Sequence, residues 1–101
     1  MTTISYIRTG GTVGQELAAN FDLNGMPASD AQRLDNLISE SNFFEIPVVD
    51  AVPSSPDEFE YIITVISGNS IHTVRATDNL MPKSLRPLIQ DLTELAIPTH
   101  H

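Results

Sequence analysis

The chain has 101 residues, a length that corresponds to one small domain with a single hydrophobic core. Hydrophobic residues make up 41% of the chain, and 13 acidic residues outnumber 5 Lys and Arg, which gives a formal net charge of −8; a negative surface repels phosphate groups, so we expect neither nucleic acid nor membrane as a partner. The absence of cysteine excludes disulfide scaffolds, thiolate metal sites and thiol nucleophiles.

The first predicted elements are two strands joined by a glycine loop. Residues Thr2–Arg8 are rich in the β-branched and aromatic types that favour strands, and this run ends in the loop Thr9–Gly14. Apolar and polar residues then alternate, with Leu17, Ala19, Phe21 and Leu23 on one side. This alternation predicts a second, half-buried strand that ends at Asn24.

A helix is predicted over Asp30–Ser41. Ser29, followed three residues later by Gln32, matches a capping box, in which two side chains satisfy amide groups at a helix start. The apolar residues that recur at helical spacing are Ala31, Leu34, Leu37 and Ile38.

Prolines are concentrated after this helix. Pro47, Pro53 and Pro56 fall within ten residues that show neither a helical nor a strand period. We interpret Pro47–Asp57 as an extended, fairly stiff loop. Ordered loops of this length are often functional.

The strongest strand pattern follows this loop. Every second residue from Phe59 to Val65 is aromatic or β-branched. Gly68 suits the positive φ of a type II′ turn, so a two-residue hairpin loop is predicted there. Such a loop sets the register, which pairs Ile66 with Ile71, Val65 with His72, Ile63 with Val74 and Tyr61 with Ala76. His72 is thereby predicted on the same face as Val65.

The last predicted element is a helix over Ser84–Ala96, with Pro87 near its start and Pro98 beyond its end. The order ββαββα predicts an α+β fold, in which a four-stranded antiparallel sheet has both helices packed on one face. The residues predicted to be buried are Phe21, Leu34, Leu37, Tyr61, Ile63, Val74, Leu88 and Leu92.

The sequence lacks the usual local signatures of catalysis. It contains neither HExxH nor GxSxG. Histidine occurs only at positions 72, 100 and 101, so we expect no catalytic residue, no tightly bound metal and no cofactor. His72 is interpreted as a structural histidine held by neighbouring groups rather than as a base. A phosphate site at the glycines is not favoured, because no Lys-Ser/Thr pair follows them and the next element is a strand.

Four runs of residues, in their order and spacing, resemble one small bacterial family. The runs are Tyr6–Gly14, Asn42–Pro47, Asp57–Tyr61 with His72–Val74, and Pro82–Leu88. From Ile4 to Leu95 the chain resembles the emfourins. The resemblance implies a protein inhibitor of thermolysin-like (M4) zinc metallopeptidases of the protealysin type, not an enzyme. Thr9 and Thr12 depart from the family pattern, which has Ser and often a bulky apolar residue there.

The resemblance and the residues agree that the protein acts by covering a partner. Stiff loops fill a cleft without a large ordering cost, so we predict reversible occlusion of the protease active-site cleft by surface loops. The predicted protease-binding residues are Arg8, Thr9, Gly10, Gly11, Thr12, Val13, Gly14, Asp50 and Asp57. Glycine would let the backbone approach the cleft wall, and Arg8 could pair with an acid of the protease.

Three alternatives stay open at this point. Gly10 and Gly11 could simply form the turn between the first two strands. The chain could be a non-catalytic binding module for another protein, one with a basic surface. It could also be a small enzyme that uses His72.

We expect one domain over residues 1–97 and a C-terminal tail over 98–101. The first residues have neither the basic region nor the apolar run of a secretory signal, and no run approaches the ~20 apolar residues of a bilayer span. The expected localisation is therefore cytoplasmic.

Overall fold

In a computed structural model of the chain, the described residues are 2–10, 16–46, 58–78 and 80–96. Their strands and helices follow one another in the predicted order ββαββα. The elements are β1 (Thr2–Gly10), β2 (Leu17–Asp22), α1 (Ala28–Ser41), β3 (Phe59–Ser67), β4 (Ser70–Thr77) and α2 (Arg86–Ala96). Short 3-10 helices over Phe43–Glu45 and Lys83–Leu85 follow α1 and precede α2.

The four strands form one open antiparallel sheet in the order β2-β1-β3-β4. The first and third strands are therefore central, and β1 pairs along its whole length with β3, from Thr2 opposite Ser67 to Gly10 opposite Phe59. All four predicted pairs of the second hairpin are confirmed. Gly68 has a φ of 60°, as the first central position of its turn requires.

The core lies between one face of the sheet and the two helices. It is formed by side chains such as Ile4 and Tyr6 of β1, Leu34 of α1, and Leu88 and Leu92 of α2, all of them buried. Of the predicted core, the six residues confirmed as buried are Leu34, Tyr61, Ile63, Val74, Leu88 and Leu92.

Two predicted core residues, Phe21 and Leu37, are only partly buried. Phe21 lies on the edge strand β2, where a neighbouring strand is present on one side only. Leu37 lies beside the stripe that α1 turns to the core, which runs through Leu34, Ile38 and Ser41. Alternation and helical spacing identified which side of each element faces the core, but they did not show how completely each side chain on that side is buried.

The predicted start of α1 is wrong. The helix begins at Ala28, two residues earlier than expected, and Pro27 occupies the N-cap position without any side-chain capping hydrogen bond. Ser29 therefore lies inside the first turn and forms no capping box. Proline supplies a φ of −54° that directs the chain into the helix, and its carbonyl accepts the amide of Ala31 at 3.0 Å.

The second helix also begins differently. Residues Lys83–Leu85 form a 3-10 turn, and the α-helix itself starts at Arg86. Pro87 lies in its first turn, where a missing amide proton breaks no helical hydrogen bond. No helix in the described ranges is long and apolar enough to cross a membrane.

Candidate functional site

The two loops predicted to bind a partner are attached to neighbouring strand ends. Residues 11–15 follow Gly10, the last residue of β1, and residues 47–57 precede Glu58 and Phe59, where β3 begins. Gly10 and Phe59 are paired across the two strands. We call this end of the sheet, marked by Gly10, Phe59 and Asp78, the loop end.

The predicted site residues divide between the described and the remaining parts of the chain. Arg8, Thr9 and Gly10 belong to β1. Those that lie outside the described residues are Gly11, Thr12, Val13, Gly14, Asp50 and Asp57. The structure thus brings together the bases of two loops that the sequence offered as separate candidates.

Gly10 is required by the fold of the chain itself. Its φ is 92°, and a Cβ at this position would lie 2.8 Å from the carbonyl oxygen of Glu58. Both features exclude an ordinary side chain. The close approach that Gly10 permits in the described structure is therefore one to β3 of the same chain.

Arg8 and Thr9 point to opposite faces of the sheet. Thr9 pairs with Glu60, on the face away from the helices. Arg8 pairs with Tyr61 on the helix side, and its guanidinium carbon lies 4.5 Å from the centre of the Phe59 ring, a cation–π contact. Its Nε is buried and has no hydrogen-bond partner within the described residues.

Asp78 ties the start of β3 to the end of β4. One of its carboxylate oxygens accepts a hydrogen bond from the Phe59 amide nitrogen at 2.9 Å, and the other accepts one from the Tyr61 hydroxyl oxygen at 2.8 Å. Sequence reasoning missed this residue, because an acid after a strand is common on any surface. Only the pairing of β3 with β4 shows that it faces these two donors.

Two stacked tyrosines connect the loop end to α2. The rings of Tyr6 and Tyr61 have centres 6.5 Å apart and planes 20° apart. Thr93 donates to the carbonyl of Ile89 at 2.7 Å, so the Tyr6 hydroxyl is the donor in its 2.6 Å contact with Thr93. The sheet is therefore joined to α2 by a partly buried chain of hydrogen bonds as well as by apolar packing.

Burial raises the pKa of both tyrosines above the ordinary value of 10.0. The hydrogen bond from Tyr61 to Asp78 and the negative charge of that carboxylate raise the pKa of Tyr61 further. Both hydroxyls thus remain neutral donors over the physiological range of pH.

A cavity of about 500 Å³ lies between the loop end and α2. Arg8, Tyr61 and Asp78 line it from the sheet, and Arg86, Ile89 and Thr93 are among the residues that line it from the helix. It therefore combines charged groups of both signs with an apolar wall.

His72 lies near the opposite end of the sheet, where its ring contacts Ile46 and Phe43. Its Nε2 is 2.7 Å from the carbonyl oxygen of Ile46, and the Phe43 ring meets it edge-on at 5.6 Å between centres. These contacts support the interpretation as a structural histidine. In the part of the chain that the structure describes, no group of three or more potential ligands could hold a metal ion.

Comparison with known proteins gives one match. The Emfourin family model matches residues 6–93. A search of curated proteins and a search of solved structures each gave no match. The matched region contains all four strands except the first residues of β1, and it contains most of α2. Because this model covers most of the chain, the protein belongs to the Emfourin family, whose members are inhibitors of proteases.

Proposed function

We propose that this protein reversibly inhibits thermolysin-like (M4) zinc metallopeptidases, and that the segments attached to the loop end cover the active-site cleft of the enzyme. The family match over residues 6–93 is the observation that carries this proposal. The choice of M4 enzymes as targets follows from the resemblance of the four sequence runs to emfourins. The partner is thus a protein, and the inhibitor supplies no chemistry of its own.

The geometry of the loop end supports an inhibitor that acts by occlusion. Both loop bases are fixed, because Gly10 is paired with Phe59 and Asp78 accepts the Phe59 amide proton. A binding segment that is held where it joins the sheet loses less conformational entropy when it enters a cleft. A protease complex of standard size would bury roughly 1,200 to 2,000 Å² in total.

The direct test is a peptide-cleavage assay with a thermolysin-like protease, titrated with the inhibitor. We expect activity to fall to its minimum at one equivalent and to return on dilution, since the proposed inhibition is reversible. Size-exclusion chromatography should show a one-to-one complex. Binding that leaves protease activity unchanged would instead support the alternative of a non-catalytic module for another partner.

A second test separates the glycine loop from the scaffold. Gly11→Val adds a β-branched side chain to the segment that we place in the cleft, and overpacking of about 1 to 3 kcal/mol would weaken inhibition roughly 5- to 140-fold. Gly25→Val is the matched control. Gly25 lies in the turn after β2, and a Cβ there would meet only ordinary contacts, the nearest at 3.7 Å.

If Gly11→Val inhibits as well as the parent protein, the glycine loop is only a turn. Occlusion would then have to come from the proline-rich segment 47–57. In that case Asp50→Asn and Asp57→Asn are the variants that should weaken inhibition. If none of these variants has an effect, the loop end is not the protease-binding surface.

A further inference from the structure

Two of the five basic side chains line the cavity beside α2 and have no carboxylate partner among the described residues. Arg33 is ion-paired with Asp30 and Asp91, and Arg75 lies 4.0 Å from Glu60. Neither Arg8 nor Arg86 forms an ion pair in the described part of the chain, although both line this cavity. In a protein with 13 acids and 5 bases, two guanidinium groups outside the ion pairs of the described residues thus lie at one cavity.

Arg8 is held in place and retains an unmet donor. Its guanidinium lies over the Phe59 ring, and its Nε is buried with no acceptor in the described residues. A buried donor without a partner carries a free-energy penalty. The Phe59 ring fixes the plane of the Arg8 guanidinium, so the planar, fork-like set of N–H donors of this group is already oriented.

Two acids, Asp78 and Glu94, also line the cavity. Both carboxylate oxygens of Asp78 already accept hydrogen bonds, one from the Phe59 amide and one from the Tyr61 hydroxyl. Glu94 is exposed near the end of α2. Ile89, which is buried, and Met81, which is partly buried, add apolar surface to the lining.

We propose that this cavity, the Arg8–Arg86 pocket, binds the carboxylate of a peptide or protein ligand. The two guanidinium groups bind the carboxylate oxygens, and the apolar wall takes the aliphatic stem that carries them. The carboxylate comes either from an acidic side chain or from a chain terminus. This proposal does not depend on the inhibition of a protease.

The test uses three capped peptides as probes in an NMR titration of the backbone amides of the intact protein. The first probe is acetyl-Ala-Glu-Ala-amide, the second is acetyl-Ala-Ala-Ala with a free carboxylate, and the third is acetyl-Ala-Gln-Ala-amide. We expect saturable shifts at Tyr61, Ile89 and Gln90 with a carboxylate probe and not with the glutamine probe. A response to the first or the second probe alone identifies the source of the carboxylate.

Arg86→Gln and Lys83→Gln form a matched pair of variants. Both residues are exposed and each substitution removes one positive charge, but only Arg86 lines the cavity. We expect Arg86→Gln to weaken binding about tenfold and Lys83→Gln to change it less than about twofold, because a charge-assisted hydrogen bond is lost only in the first. Arg8→Lys, which keeps the charge but removes the fork, should also weaken binding.

Urea unfolding of each variant shows whether the fold is retained. Equal losses for Arg86→Gln and Lys83→Gln would overturn the proposal, since they would indicate general attraction of charge. The absence of saturable shifts with both carboxylate probes would also overturn it. No protease is present in the titration, so its result is independent of the inhibition assay.

Discussion

The carbonyl oxygen of Glu58 occupies space that any side chain on Gly10 would need, since a Cβ there would lie only 2.8 Å away. These two residues lie next to the two segments proposed to contact the protease. The distance between the bases of those segments is therefore set by backbone contact between β1 and β3. A substitution at Gly10 would alter the contact between β1 and β3 at the loop end as well as the loop that follows.

Gly10→Ala should destabilise the protein by roughly 1 to 3 kcal/mol, because it combines an unfavourable φ with a contact to backbone that cannot easily move. Gly68→Ala is the control. Gly68 also has a positive φ, but a Cβ there would meet no atom within 4 Å. Urea unfolding monitored by circular dichroism measures both changes. The interpretation is wrong if Gly10→Ala costs no more than Gly68→Ala.

Alkaline pH should weaken the fold through the two tyrosines. Because burial raises the pKa of Tyr6 and Tyr61 above 10.0 in the folded state, the folded state retains protons that the unfolded chain releases. The stabilisation is fully present below pH 10.0 and is lost as the pH rises through the folded-state values. The free energy of unfolding should therefore fall as the pH rises above about 10.

Tyr6→Phe and Tyr61→Phe should each make that fall less steep, because each removes one of the two groups concerned. Tyr6 and Tyr61 are the only tyrosines, and the chain has no tryptophan. The near-ultraviolet absorbance of tyrosinate therefore reports these two groups alone. Ionisation near the ordinary pKa of 10.0 in the folded protein would contradict the prediction.

Leu92→Ala should separate stability from binding. Leu92 is fully buried in the core, so its truncation leaves a cavity and should cost roughly 2 to 5 kcal/mol. Inhibition by the folded fraction should stay nearly unchanged. Leu80→Ala is the control, because Leu80 is 62% exposed and should change stability by less than about 0.5 kcal/mol. Thermal unfolding and inhibition constants, measured together, provide the comparison.

His72→Phe tests the structural interpretation of the histidine. The variant keeps an aromatic ring beside Phe43 but loses the hydrogen bond to the Ile46 carbonyl, which should cost about 0.5 to 1.5 kcal/mol. Inhibition by the folded protein should not change. A metal-independent catalytic turnover that disappears in this variant would instead favour the enzyme hypothesis.

Local patterns predicted the second hairpin well because its register follows from a two-residue turn. The pairs from Tyr61 with Ala76 to Ile66 with Ile71 follow once Gly68 is placed in that turn. The pairing of β1 with β3 could not be predicted in the same way. It joins segments that are distant in the chain, and no turn specifies its register.

The residues that sequence analysis missed do not belong to a repeating pattern of apolar residues. Phe43 is fully buried but belongs to a 3-10 turn of three residues, which is too short to show a pattern. Asp78 and the cavity beside Arg8 depend on contacts among β1, β3, β4 and α2. Such contacts are defined only after the sheet has been assembled.

The central position of β1 has a consequence for how the chain folds. This strand is among the first parts of the domain to be synthesised, but one of its two neighbours, β3, ends only at Ser67. A two-stranded hairpin of β1 and β2 is marginal in water by itself. Closing the large loop between β1 and β3 costs entropy before any contact is gained. The sheet should therefore form late and as a unit, after the second hairpin is available as its template.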